Sequence, residues 1–161
     1  MKKLIYTLLI IIALTNNSFS AGTSGDSSDS SSDYTKAKNL IKAAKKYEKK
    51  GKIEKAQKRY AKAQKLLLKS NKKKPLQADT LNYLGFTTRK LGDYEKGEEF
   101  YLQGLQIEPN HNGINEYLGE LYVVTNRMDL AKERLEVLKS CDCKEYKQLK
   151  EIIEGTKKSK Y

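Results

Sequence analysis

The sequence predicts an all-α fold, an α-solenoid of about three helical hairpins closed by a C-terminal helix. Three observations carry that prediction. Leu84-Gly85 recurs as Leu118-Gly119, with a similar helical pattern after each pair. A recurrence at about 34 residues marks stacked helical pairs. Apolar residues follow helical spacing, as in Leu81, Leu84, Thr88 and Leu91 at i, i+3, i+7 and i+10, which puts them on one face. Turn-forming residues then punctuate the pattern at Gly92-Asp93 and Asn126-Arg127.

The elements follow in chain order. Lys2 and Lys3 precede an uncharged run, Leu4 to Leu14, and a short polar segment ending in Ser18, Phe19 and Ser20. That order is the order of an export signal, with cleavage expected after Ser20. The alternative is an uncleaved anchor, but this run falls well short of the roughly 20 residues that span a bilayer. A signal at 1–20 implies a periplasmic or secreted chain of bacterial type. Residues 21–33 hold six Ser, three Asp and two Gly, too little apolar surface to offset chain entropy, and are expected to be a disordered leader, an inert spacer or one whose Asp residues sit against the Lys-rich helices that follow.

The helical domain is expected over 34–155. A first hairpin spans about 37–74, with Leu40, Ala44 and Tyr47 on one helix and Ala56, Tyr60 and Ala63 on the next. The second spans 78–111: Leu81 to Leu91, then Tyr94, Gly97, Tyr101 and Gly104, ending at Pro109, which cannot donate to a helix ladder. The third spans 112–143. A closing helix over 144–154 carries Tyr146, Leu149, Ile152 and Ile153 on one face and stops at Gly155. Residues 156–161 are expected to fray. Small residues recur where helices must approach closely, at Gly85, Gly97, Gly104, Gly119 and Ala131.

These residues resemble the tetratricopeptide repeat (TPR), whose pattern is aromatic-x-x-Leu-Gly-x-x-Tyr, then Ala-x-x-x-Phe, then Pro. The second hairpin matches with Leu84, Gly85, Tyr101 and Pro109, and the third with Leu118, Gly119, Tyr122, Ala131 and Leu135. Leu81, Thr88 and Asn115 depart at aromatic positions, Gly97 at an Ala position and Cys143 at the Pro. The first hairpin lies further from the second than the second does from the third, so seven residues are extra, most simply in a longer second helix.

The resemblance implies a module that binds a protein or peptide segment in a groove lined by the first helix of each hairpin. The residues it places there are Asp79, Asn82, Phe86, Arg89 and Lys90, then Gly113, Glu116, Glu120, Val123 and Val124, with Lys38, Ile41, Lys45, Glu48 and Lys49 from the first copy. Some members clamp a C-terminal carboxylate with an Asn at a position that here holds Lys45, Phe86 and Glu120, which argues against that specificity. Phe86, Val123, Glu116 and Glu120 suit a segment with a hydrophobic anchor and some basic character.

Charge is concentrated. Residues 34–74 hold 17 Lys and Arg against Glu48 and Glu54, a net of +15, whereas 75–161 hold 13 against 15, a net of −2. The basic surface includes Lys38, Lys45, Lys49, Lys52, Lys58 and Lys62. It reads either as solvated surface or as a contact for an anionic surface such as lipid headgroups, a cell-wall polymer or an acidic protein. No base-reading motif accompanies it, so nucleic acid is not an expected partner.

No convergent nucleophile, base or ligand set is visible, so neither an enzyme nor a cofactor or metal is expected. His111, the one histidine, reads as a loop or helix-entry residue. Cys141 and Cys143 read as a local disulfide between the third hairpin and the closing helix, as free thiols, or as a redox or metal pair.

Overall fold

The computed structural model describes residues 30–159, and it is helical throughout, with no strand among the described residues. The signal expected at 1–20, most of the leader and residues 160–161 lie outside them. Seven helices follow one another: α1 Ser30–Lys49, α2 Ile53–Lys73, α3 Ala78–Lys90, α4 Tyr94–Ile107, α5 Asn112–Val124, α6 Met128–Leu138 and α7 Lys144–Ile153. They pair as α1/α2, α3/α4 and α5/α6, with α7 against α5 and α6. The first helix begins at Ser30, inside the expected leader. Asp33 is buried there and faces the amines of Lys69 and Lys73 at 3.5 and 3.7 Å, which ties the helix start to the end of α2.

Each hairpin turns by the same device. After α1, Gly51 takes φ +67°, Gly51 N–H donates to Glu48 O and Lys52 N–H donates to Tyr47 O. Gly92 after α3 and Asn126 after α5 repeat the arrangement at φ +97° and +58°, with Asp93 N–H on Thr88 O and Arg127 N–H on Tyr122 O. This left-handed cap satisfies the orphan carbonyls of a helix end and favours Gly or Asn at its pivot. Gly155 closes α7 in the same way.

The helices of the first hairpin are 20 and 21 residues long, those of the second 13 and 14. The extra seven residues between the first two repeats fall in α2, and α1 matches them by starting early, ahead of the repeat pattern. A longer α2 without a longer α1 would leave two turns of apolar stripe without a partner. Instead Ala37, Ile41 and Ala44 meet Ala56, Tyr60, Ala63 and Leu67 in one continuous seam.

Glycines bring the shorter helices together. A Cβ on Gly85 would lie 2.5 Å from the Tyr101 ring, and one on Gly97 would lie 3.1 Å from the Gly85 carbonyl, so α3 and α4 pack backbone to ring. Gly104 and Gly119 serve between hairpins rather than within one: the first receives Ile114 of α5 and the second Leu149 of α7.

Candidate functional site

The candidate site is the side of the stack built by the first helices, α1, α3 and α5. It is an aromatic row threaded by cations. Tyr60 meets Phe86 edge-on at 5.8 Å, and Phe86 meets Tyr117 at 5.1 Å. Lys45 of α1 lies 4.3 Å over the Phe86 ring and its amine donates to the Tyr117 hydroxyl at 3.3 Å. A cation over an aromatic face is attracted by the ring quadrupole. Burial pushes the Tyr117 hydroxyl well above its ordinary pKa, so it stays protonated.

Glu48 joins two hairpins. One carboxylate oxygen accepts from the Tyr60 hydroxyl at 2.8 Å and the other faces the Lys90 amine at 2.6 Å. Burial and that hydrogen bond raise the Tyr60 pKa. Beside this pair, Lys45, Glu48, Lys49, Phe86 and Lys90 line a cavity of about 240 Å³. Gln57 of α2 donates to the Lys90 carbonyl and Gln64 to the Thr88 hydroxyl, both at 2.8 Å, which fixes α3 against the first hairpin.

The groove positions read from the sequence fall into two groups. Asp79 is exposed, at the edge of the stack, where its carboxylate meets His111 Nε2 at 3.2 Å. Lys90 and Val123 are half-buried. Asn82, Phe86, Arg89, Glu116 and Glu120 do not face solvent as the pattern expects, for all five are buried. Arg89 donates to the Tyr117 carbonyl and lies 3.8 Å from Glu120, both side chains being fully enclosed. A charged pair removed from water is held in place by each other's field, and here it joins α3 to α5. Ser159 also reaches Glu120, at 3.4 Å.

The basic surface divides as well. Lys45 and Lys49 belong to the cavity, and Lys38 lies over Tyr34 and Tyr83 at 5.2 and 5.9 Å. Lys52 is exposed at the turn. Lys58 and Lys62 lie elsewhere, with Lys55, Arg59 and Tyr47 around a second cavity of about 320 Å³. Tyr117, Lys55 and Arg59 were not singled out from the sequence, whereas Tyr47 and Tyr60 were read as apolar-stripe residues and Lys58 and Lys62 as basic surface. The spacing of 55, 58, 59 and 62 at i, i+3, i+4 and i+7 was the available signal.

His111 caps α5: its Nδ1 accepts from Ile114 N–H at 3.1 Å. Cys141 and Cys143 are joined by a disulfide, with Cα atoms 5.1 Å apart, immediately before α7. Among the described residues no group of three or more His, Cys, Asp or Glu is placed to hold a metal ion, and no helix is long and apolar enough to cross a membrane.

No protein-family model matches the chain, and no curated protein matches it. Solved structures do. The first TPR of Spaghetti (RPAP3), bound to the HSP90 peptide SRMEEVD, aligns at a TM-score of 0.54 and 18% identity, over 76% of this chain and 94% of that one. The fold is an all-α solenoid of helical hairpins like that of this tetratricopeptide-repeat structure. The CopN-Scc3 complex supplies a second neighbour, at a TM-score of 0.50 and 18% identity, over 76% of this chain and 69% of that one. The TPR alignment agrees with the helical hairpins and with the regular recurrence of their turns at Gly92 and Asn126.

Proposed function

We propose that this chain is a non-enzymatic protein-interaction module of the bacterial cell envelope, taking a partner segment against the face built by α1, α3 and α5. The observation that carries the reading is the cavity at Lys45, Glu48, Lys49, Phe86 and Lys90. It joins an aromatic floor to three cations and one carboxylate. Phe86 is enclosed beneath Lys45, so an apolar side chain reaches this floor as Lys45 swings aside, and an adjacent carboxylate meets the excess positive charge. The occupant is therefore an extended segment with an apolar residue next to an acidic one, rather than the basic segment expected from the groove sequence. That the fold neighbour was solved with a peptide containing Met next to Glu supports a segment of this type. The Lys-Lys start and the uncharged run 4–14 support export.

A panel of short peptides pairing Met, Leu or Phe with Asp or Glu, measured by fluorescence anisotropy against the full mature chain, tests this. Binding is expected for some members, weakening about tenfold on Lys49→Glu, since a charge-assisted contact contributes about 1.5 kcal/mol. Lys49 is exposed, so the substitution leaves the seam intact. No binding by any peptide at low salt, or binding unchanged by Lys49→Glu, would remove the proposal.

A further inference from the structure

The second cavity has a different chemistry. Lys55, Lys58, Arg59 and Lys62 of α2 converge with Tyr47 of α1 around about 320 Å³ of open space. Their spacing puts all four cations along one side of α2 within about 10 Å. It is the side turned away from α3, because Gln57 and Gln64, which bond α3, lie on the opposite face. Among the described residues no carboxylate forms an ion pair with any of the four, whereas Lys69 and Lys73 further along α2 face Asp33. Arg59 lies 5.4 Å over the Tyr47 ring. The Tyr47 hydroxyl is made more acidic by its hydrogen bond from Arg59, then by the charges of Arg59, Lys55 and Lys52.

Four cations inside one Debye length repel each other, and a bound anion relieves that repulsion. A planar guanidinium matches two phosphate oxygens at once, and the lysines act as point charges around it. The Tyr47 ring forms an apolar wall for the carbon skeleton that carries the phosphate. We infer that this cavity is a binding site for a phosphate ester, separate from the peptide face and on the opposite side of the first hairpin.

The test uses two probes with the full mature chain: pyrophosphate by isothermal titration, and phosphatidylglycerol vesicles by co-sedimentation against phosphatidylcholine vesicles. Two variants of equal charge change separate a site from a general field. Lys58→Glu with Lys62→Glu alters the cavity, and Lys65→Glu with Lys72→Glu alters exposed cations outside it. Binding of at least one probe is expected, weakening as salt rises. The cavity pair should lose about tenfold or more, because each charge-assisted contact is worth roughly that factor, and the outer pair should change far less. Vesicle binding alone assigns the phosphate to a lipid headgroup, and pyrophosphate binding assigns it to a soluble phosphate compound. Neither probe binding at low salt, or equal loss in both variants, overturns the inference. Circular dichroism of both variants confirms that helix content is retained. The peptide panel addresses the other face, so failure of one proposal is distinguishable from failure of the other.

Discussion

The first and second hairpins solve one problem with opposite materials. In α1/α2 the contact is long and lined by alanine, with Ala37, Ala44, Ala56 and Ala63 fully or almost fully enclosed. In α3/α4 it is two turns shorter and locked by glycine, with Gly85 under the Tyr101 ring and Gly97 against the Gly85 carbonyl. Counted back from the turn pivots Gly51, Gly92 and Asn126, Ala44 is the counterpart of Gly85 and Gly119. The difference shows that stacking demands a small residue there, while the partner ring decides whether a methyl group fits. The two extra turns of α1 and α2 add buried apolar area along the seam.

The sharpest way to break the comparison is to exchange the two residues. Gly85→Ala forces its Cβ into the Tyr101 ring and should cost about 3 kcal/mol by urea unfolding, the upper range for overpacking. Ala44→Gly, at the matching place in the first pair, should cost less, about 2 kcal/mol, from helix propensity and one lost buried methyl. Equal costs would refute the distinction between ring-locked and alanine-lined pairs.

The junctions between hairpins give a smaller effect. Between α2 and α3, Leu76 adopts φ +58° and is 70% exposed, a strained geometry with little packing to offset it. Leu76→Asn should raise stability by about 0.5 kcal/mol, because Asn tolerates this region. A thermal shift downward would mean that Leu76 makes a contact of more value than its strain. The smallest effect concerns salt. The net of +15 on 34–74 repels itself, so raising ionic strength should protect α1 and α2 amides from hydrogen exchange by a few tenths of a kcal/mol. Amides of α5 and α6 should change less, and an equal response everywhere would count against a localised charge effect.

Much of this architecture was legible beforehand because it rests on local chemistry. Gly51, Gly92, Asn126 and Gly155 occupy left-handed pivots, and the residue types that tolerate such a backbone announce the turns. Leu149 and Ile152 fall on one face of a short helix and close the stack. The site was less legible, because helical periodicity assigns a face and not its neighbours. Nothing near Phe86 in the sequence shows that Lys45, one hairpin earlier, lies across its ring, or that Arg89 is enclosed with Glu120. The early start of α1 at Ser30 was hidden too, because an offset between repeats counts only what lies between them, and the Ser-rich composition there argues for a coil until Asp33 meets Lys69 and Lys73.

Leu149 resting on Gly119 has a consequence for assembly. Helix α7 stands against α5 and α6 in the place where the leading helix of another pair would stand, and it is ten residues long with no return arm of its own among the described residues. The closing helix therefore covers the side of α5 and α6 that a further hairpin would use, and the missing side chain at Gly119 is what lets it lie that close.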